Sequence, residues 1–151
     1  EWAFEVLQAC GVGYDSSVFP VHNYRYGIPD APRWVHQIAP GISELPPSTW
    51  RLAGRNLPIA GGAYFRLFPY TLSRFGLRRV NAEGQPAVFY LHPWEIDPDQ
   101  PRIAASWFSR FRHYRNLEKC ESRLCSLMAD FHFGTTWDVL DARGLTSTNN
   151  L

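Results

Sequence analysis

The sequence has no strong charge of either sign and no long apolar run. Of its 151 residues, 15 are Lys or Arg and 14 are Asp or Glu, which leaves a net charge of +1. The richest basic clusters, LRRV at 77–80 and RFRHYR at 110–115, are too short to predict a nucleic-acid surface. No apolar stretch approaches the about 20 residues that a membrane-spanning helix needs. We therefore expect neither a nucleic-acid partner nor a membrane span.

Cysteine is scarce, and the three cysteines follow no recognisable pattern. Cys10, Cys120 and Cys125 are an odd set without the spacing of a disulfide framework, which predicts reduced thiols. With His132, the last two would provide three zinc ligands. Their C-x4-C spacing runs along one predicted helix, however, and a fourth ligand is missing. We therefore expect these two thiols in the core.

Aromatic residues and prolines are abundant instead. The chain has six Trp, seven Tyr, ten Phe and twelve Pro, a composition that favours a loop-rich α/β domain over a helical bundle. The proline-dense segment 20–58 predicts extended loops with one or two edge strands. Its interleaved aromatic side chains argue against disorder. At this length we expect one domain.

Three stretches show helical periodicity. The first, residues 2–10, starts the chain with no Met and no leader before it, so we expect the downstream part of a longer protein. The second, residues 61–76, follows a predicted Gly61-Gly62 turn, which lacks the context of a phosphate loop, and is interrupted at Pro69. The third starts at Asn116, the expected N-cap, and its apolar face comprises Leu117, Cys120, Leu124, Leu127, Met128 and Phe131.

The stretch AVFYLHPWEID, residues 87–97, places a histidine, a tryptophan and two carboxylates directly after an apolar run. The run predicts a strand over Val88–Leu91 that is buried on both faces, as in a parallel sheet covered by helices. Pro93 ends this strand because it has no N–H to donate. Ligands of such sheets bind beyond the carboxyl ends of the strands. We therefore predict that His92 faces a pocket and takes part in chemistry there.

Four motifs together resemble a known family: YDSSVFP at 14–20, RYGIPDAPR at 25–33, GGAYFRLFPY at 61–70 and FYLHPWEID at 89–97. In this order they resemble the downstream half of a polysaccharide deacetylase of carbohydrate esterase family 4, the nodulation-type group. The most similar branch is the one associated with bacterial exopolysaccharide and exosortase loci. The likeness runs from about Trp2 to Leu145. It implies an α/β fold that is part of a distorted (β/α) barrel over about 1–100, with a loop-rich, helical C-terminal extension over about 101–145 and a tail over 146–151.

The resemblance also implies a function, the metal-dependent hydrolysis of acetamide groups on an N-acetylated polysaccharide. The compartment that we expect is the cytoplasm. The divalent metal, expected to be zinc, would be held by one Asp and two His of upstream motifs. Those motifs are absent from this sequence, so the resemblance implies that this chain ligates no metal and is inactive alone. His92 matches the motif whose histidine protonates the leaving amine.

Further site residues follow from the same resemblance. Asp15 matches an acidic motif that orients or tunes the catalytic pair of the family. Tyr90, Leu91 and Trp94 would contact the polysaccharide substrate, with Leu91 at the acetyl pocket. Many members place one residue between this leucine and the histidine, which this sequence does not. Trp94 would offer an aromatic face to a sugar ring.

Other interpretations of the same residues stay open. His92 is also explained as a structural histidine, and Trp94 as a packing aromatic. Glu95 and Asp97 are either solvated loop carboxylates or groups that raise the pKa of the histidine. The alternative functions are a non-catalytic module that binds a glycan or a partner chain, and a glycosidase that uses Glu95 with Asp97 or Asp15. The glycosidase requires two carboxylates that flank one cleft.

Overall fold

The computed structural model of the chain describes residues 2–23 and 26–146, with strands in the first part and helices after them. Helix α1 (Trp2–Ala9) is followed by the short strands β1 (Tyr14–Asp15), β2 (His36–Ala39), β3 (Ile42–Glu44), β4 (Thr49–Leu52) and β5 (Arg55–Pro58). The later helices are α2 (Gly62–Leu67), α3 (Tyr70–Ala82), α4 (Trp107–Tyr114), α5 (Cys120–Asp130) and α6 (Thr136–Ala142). Turns of 3-10 helix cover Pro93–Ile96 and Leu117–Lys119. Among these helices, none combines the length and the apolar character that a membrane crossing requires.

The strands form two small sheets. The first has the order β1-β3-β2, with β1 parallel and β2 antiparallel to β3, and β4 pairs with β5 in an antiparallel hairpin. Segment 20–58 thus holds β2 to β5, which is more strand than predicted. The chain thus mixes helices and strands, as the predicted α/β class requires. The barrel is not confirmed, because the described residues form sheets of two and three strands and a closed (β/α) barrel needs about eight.

The predicted strand over Val88–Leu91 is wrong. The segment belongs to no strand and its residues are half-buried. Val88 N donates to Ser48 Oγ at 2.8 Å, and Ser48 N donates to the Val88 carbonyl at 3.0 Å. Gly62 N donates to the Tyr90 carbonyl at 3.1 Å. The hydrogen bonds of this segment thus go to a serine in a loop and a glycine in a turn. Its backbone does not form a β-ladder with another strand.

The same segment nevertheless alternates between two surroundings. Phe89 and Leu91 pack against the core, whereas Tyr90 and His92 line a cavity. This alternation has the period of two that extended backbone gives. His92 therefore faces a cavity, as predicted, although no strand ends there.

The core lies where the end of β5 meets α2, α3 and α5. Its buried members are Ile59, Ala60, Phe65, Leu77, Val80, Cys120 and Leu127. Helix α3 turns one face to this core, with buried residues three and four positions apart. The predicted helices at 2–10 and 61–76 are confirmed as α1 and as α2 with α3, and the interruption falls at Pro69.

The helix predicted from Asn116 to Phe131 is confirmed in place but not at its start. Asn116 has a left-handed backbone with φ +57, and its side chain donates to the Arg66 carbonyl at 2.8 Å. Asn116 is thus the N-cap of the 3-10 turn that leads into α5, but its side chain makes no capping hydrogen bond. Met128 is 62% exposed and lies off the buried face, contrary to the prediction.

The Gly61-Gly62 turn is confirmed, and it is needed because the Tyr90 backbone approaches closely. Gly61 has φ +78, and a Cβ at this position would lie 2.0 Å from the Tyr90 carbonyl oxygen. A Cβ on Gly62 would lie 2.9 Å from the Tyr90 hydroxyl oxygen. Only glycine combines this φ with this proximity at little cost. The turn thus joins the cavity wall to the start of α2.

We predict that Gly61→Ala lowers the free energy of unfolding more than Gly54→Ala does. Gly54 is a matched control because it also has φ +78 but no atom within 4 Å of a built Cβ. Gly54→Ala should therefore cost only the left-handed backbone, about 1–2 kcal/mol. Gly61→Ala should cost about 1–3 kcal/mol more through the clash with Tyr90. Chemical denaturation measures both variants, and equal losses would contradict the close approach.

Candidate functional site

A cavity of about 330 Å³ lies between α2, the segment around the Pro93–Ile96 turn, and α4. Its lining combines aromatic, basic and small residues: Tyr26, Gly62, Ala63, Tyr64, Arg66, Tyr90, His92, Trp94, Glu95, Ser109, Arg112 and His113. A concave site in which histidine, carboxylate and arginine side chains converge is a candidate for binding and catalysis.

His92 and Glu95 meet because a 3-10 turn starts between them. Pro93 takes the first position of this turn, where a missing N–H costs no hydrogen bond. Glu95 Oε2 lies 3.1 Å from His92 Nδ1 and also accepts from the His92 backbone N–H at 3.2 Å. A carboxylate can only accept, so Nδ1 donates, and Nε2 has no hydrogen-bond partner within residues 2–23 and 26–146. The ring is thus held at Nδ1, Nε2 is unpaired among the described residues, and the residue lines the cavity.

Glu95 is buried and is balanced by a buried arginine. Arg66 Nε lies 3.0 Å from Glu95 Oε1, and both side chains are 3% exposed. The other guanidinium nitrogens donate to the carbonyls of Arg112, His113 and Arg115, at 3.2, 2.9 and 3.0 Å. Buried ion pairs need such additional hydrogen bonds to offset the loss of water. The arrangement suits a carboxylate with one oxygen on the guanidinium and the other on the imidazole.

Two aromatic rings enclose the imidazole of His92. The Trp94 indole stacks on it at a centroid distance of 4.2 Å and an angle of 19°, and Tyr90 approaches edge-on at 5.5 Å. One face of Trp94 is therefore covered, although 45% of the residue stays exposed. Burial and the charge of Glu95 raise the pKa of Tyr90, so its phenol remains neutral.

A second histidine, His113, belongs to the wall of the cavity. Its Nε2 lies 2.8 Å from Gln100 Oε1, and the Gln100 amide nitrogen donates to the Asp97 carbonyl at 3.0 Å. Because the amide nitrogen is the donor, the amide oxygen accepts and His113 Nε2 donates. This nitrogen is engaged, in contrast to the corresponding nitrogen of His92.

Two tyrosine hydroxyls complete the polar lining. Tyr26 and Tyr64 lie with their hydroxyl oxygens 3.0 Å apart. Burial and the hydrogen bond to Tyr64 raise the pKa of Tyr26. Phe19 stacks on Tyr26 and meets Tyr64 edge-on, with both centroid distances at 6.2 Å. The pair therefore presents two hydroxyl groups on a packed aromatic support.

Over residues 16–141 the chain matches a family described as a domain of unknown function, DUF3473. The chain belongs to this family. No curated protein sequence and no solved structure matches it. The description of the family names no activity, so the function has to be argued from the residues of the site.

The cavity of this DUF3473 domain brings together three of the residues predicted from the sequence, His92, Tyr90 and Trp94. Leu91 is not among its lining residues and packs against the core instead. Asp15 lies in β1, within the three-stranded sheet, and does not line the cavity. The structure therefore does not join Asp15 to the histidine in one described site.

The carboxylates after the histidine differ in their surroundings. Glu95 is 2% exposed, so its interpretation as a solvated loop carboxylate is wrong. Asp97 is exposed, and its Oδ1 accepts from the backbone N–H two residues on, at 3.0 Å. Neither Asp97 nor Asp15 lines the cavity with Glu95. Two carboxylates that flank one cleft, as a glycosidase requires, are therefore not found in this cavity.

In the described ranges, no group of three or more His, Cys, Asp or Glu side chains could hold a metal ion. Cys120 is buried, as expected of a core thiol, whereas Cys125 and Cys10 are exposed. Burial raises the pKa of Cys120 to about 11, which keeps this thiol protonated. The described residues therefore include no set of side chains that could hold a zinc ion.

Three cavity residues are not singled out by the sequence: Arg66, Arg112 and His113. The sequence does contain a hint for Arg66, which lies between Phe65 and Leu67 in an apolar helical stretch. A charged residue at such a position indicates that it is buried with a partner. Arg112 and His113 carry no such signal. They belong to α4, 46 and 47 residues further along the chain.

We predict strong energetic coupling between Arg66 and Glu95. Arg66→Met and Glu95→Gln should each lower the free energy of unfolding by about 3–5 kcal/mol, because each leaves a buried partner uncompensated. The double variant should lose less than the sum, by at least about 1 kcal/mol. A double-mutant cycle by chemical denaturation measures this coupling.

The matched control for this cycle is the more exposed pair Arg74 and Asp130, whose Nε and Oδ2 atoms are also 3.0 Å apart. The cycle of Arg74→Met with Asp130→Asn should give only about 0.2–1 kcal/mol of coupling. Equal coupling in the two cycles would contradict a special role for the buried pair.

Asp15 belongs to a second pair of carboxyl groups, in the three-stranded sheet. Its register partner is Glu44, which is fully buried. Glu44 Oε1 accepts from Val18 N at 2.9 Å, and the Asp15 carboxylate accepts from the Ser17 hydroxyl. Burial and the nearby charge of Asp15 raise the pKa of Glu44 to about 7. Near neutral pH this glutamate is therefore only partly ionised.

We predict that the domain loses stability as pH rises from about 4.5 to about 7 through Glu44. In this window the folded state holds a proton that the unfolded state releases, so folding becomes less favourable with rising pH. The contribution is roughly 3 kcal/mol. Glu44→Gln should remove this fall, measured by denaturation at pH 5 and pH 8. Glu118→Gln is the control for the loss of one carboxyl group, because Glu118 lies on the exposed surface. If stability still fell with rising pH in Glu44→Gln, the pH dependence would not come from Glu44.

Proposed function

We propose that the cavity is the proton-transfer part of a hydrolytic site that removes acetyl groups from an N-acetylated polysaccharide. The observation that carries the proposal is the pairing of the cavity residue His92 with Glu95, with Nδ1 3.1 Å from Glu95 Oε2 and Nε2 unpaired among the described residues. A histidine oriented by a carboxylate is a common form of general acid or base. The likeness of the four sequence motifs to polysaccharide deacetylases supports the same role.

The step assigned to His92 is proton donation to an amine. When water adds to the acetamide carbon, the C–N bond of the tetrahedral intermediate breaks readily only if the nitrogen gains a proton. The His92 imidazolium donates this proton from Nε2 and becomes neutral, and the amine and acetate leave. The Glu95 carboxylate stabilises the imidazolium before the transfer. Arg66 holds that carboxylate in place.

Activation of the attacking water is not assigned to this chain, because its described residues contain no metal-ligand group. The deacetylase resemblance assigns that task to a divalent metal and an aspartate base of motifs outside this sequence. The contribution of this chain is then the proton donor and part of the wall that holds the sugar.

The remaining lining of the cavity suits a sugar ring. The face of Trp94 opposite the imidazole is available to the C–H face of a pyranose. The neighbouring hydroxyls of Tyr26 and Tyr64 are donors and acceptors for sugar hydroxyl groups. An aromatic platform with a few placed polar groups is typical of small-ligand sites.

A second candidate is a glycan-binding module without chemistry. It is favoured by the absence, among the described residues, of a group that could hold a metal ion. In such a module, the ion pair and the stacked rings would only shape a binding surface. The two candidates differ in what the loss of one imidazole does to a reaction rate.

We expect His92→Ala, made in the natural full-length protein, to lower kcat for an acetamide substrate by about 10²–10⁴-fold. KM should change little, because the proton moves only in the transition state. The loss should be smaller for an aryl acetate, since an aryl oxide leaves without a proton. The metal content should stay unchanged. Rates on both substrates and elemental analysis measure these effects.

His22→Ala is the control, because His22 is exposed and does not line the cavity. It should leave the rates on both substrates unchanged. Loss of metal from His92→Ala would identify His92 as a ligand and refute its role as a proton donor. Unchanged rates for His92→Ala would make the histidine structural and favour the binding module.

A further inference from the structure

A second concave surface, of about 470 Å³, lies along α4 and has no part in the function proposed above. It is lined by Arg102, Trp107, Arg110, Phe111, Tyr114 and Arg115, which we call the arginine–aromatic surface. Three of these described residues are arginines, three are aromatic, and none is acidic. Trp107 is 76% exposed and Phe111 is 41% exposed, so apolar rings face solvent here.

Two of the three arginines of this surface lie over its aromatic rings. Arg102 Cζ is 4.3 Å from the centre of the Tyr114 ring, and Arg115 Cζ is 5.7 Å from the centre of the Phe111 ring. The Trp107 and Phe111 rings stack at 5.7 Å. A guanidinium that lies over a ring keeps its N–H edges available for an acceptor. The surface therefore offers aromatic rings beside oriented positive charges.

The same helix also lines the His92 cavity. Helix α4 contributes Ser109, Arg112 and His113 to that cavity. It also contributes residues to the arginine–aromatic surface: Trp107, Arg110, Phe111 and Tyr114. A polysaccharide is longer than a cavity of this size. A chain that places one sugar at the cavity therefore has further sugars that can reach the other side of α4.

We propose that the arginine–aromatic surface binds an acidic segment of the polysaccharide, so that the substrate is an N-acetylated polysaccharide with carboxylate groups. The proposal rests on the proposed function, because it assumes that the same polysaccharide chain binds at His92 in the cavity. Aromatic rings complement the C–H faces of pyranoses, and guanidinium groups bind carboxylates with two parallel hydrogen bonds. The surface has positive charge and no acidic lining residue, which is complementary to such a chain.

The balance of charge favours this ligand over a nucleic acid. A nucleic-acid strand carries a charge at every nucleotide, and proteins that bind it neutralise many of these charges with basic residues. This chain has a net charge of +1, and the surface holds three arginines. That number suits the sparser carboxylates of an acidic polysaccharide.

The test compares two oligosaccharides of eight sugars, one alternating N-acetylglucosamine with glucuronate and one of N-acetylglucosamine alone. Both are titrated into the natural full-length protein carrying His92→Ala, so that turnover is slow while binding is measured. We expect the acidic oligosaccharide to bind about tenfold more tightly at low salt. This ratio corresponds to the binding free energy that two exposed ion pairs contribute. The preference should shrink as salt rises.

Arg110→Gln with Arg115→Gln should abolish this preference. Arg55→Gln with Arg79→Gln is the matched control, because both arginines are exposed and lie outside the surface. It removes the same charge and should leave the preference intact. Trp107→Ala should weaken the binding of both oligosaccharides, and circular dichroism checks that each variant is folded.

Equal affinities for the two oligosaccharides, or equal effects of the two double variants, would overturn the proposal. Binding of anionic phospholipid vesicles or single-stranded RNA in place of the acidic oligosaccharide, abolished by Arg110→Gln with Arg115→Gln, would also overturn it. This proposal and the proposed function fail separately. An acidic preference without any effect of His92→Ala on deacetylation supports the surface and refutes the catalytic role. Deacetylation that His92→Ala slows, without an acidic preference, supports the catalytic role and refutes the surface.

Discussion

An arginine buried against a glutamate organises the part of the molecule that contains the cavity. Arg66 lies in α2 and Glu95 lies in the 3-10 turn. The carbonyls that accept hydrogen bonds from the guanidinium belong to residues at the end of α4 and just after it. Segments separated by 29 to 49 residues therefore meet at one side chain. Because a buried charge is costly unless every polar group around it is paired, these segments determine one another's positions. The cavity is the space that they enclose.

Arginine side chains also complete the short helices around this centre. Arg66 donates to carbonyls at the end of α4, and Arg123 of α5 donates to the Phe65, Arg66 and Phe68 carbonyls at the end of α2, at 2.8–3.0 Å. The last carbonyls of a helix have no partner within it, and a cation there also suits the helix dipole. Helices of six and eight residues are not stable alone in water. Contacts from neighbouring segments, more than intrinsic propensity, therefore hold them.

The segment before His92 shows why one prediction succeeded while its structural basis was wrong. An apolar run that ends at a histidine and a proline correctly indicated a residue that faces a pocket. The sequence predicts a strand buried on both sides here, because its hydropathy pattern treats Tyr90 as apolar, like Phe89 and Leu91. In the structure one side packs on the core and the other lines the cavity with the tyrosine ring. Hydropathy does not distinguish an aromatic cavity wall from a covering helix.

By itself the sequence determined the local features of the domain. The Gly61-Gly62 turn, the break at Pro69 and the three-residue spacing of His92 and Glu95 follow from backbone rules that act within a few residues. Only the tertiary structure decided that Glu95 is buried, that Arg66 and α4 reach it, and that Asp15 lies in a sheet and not in the cavity. Burial of a charge depends on partners from distant segments, and their meeting depends on how the whole chain packs.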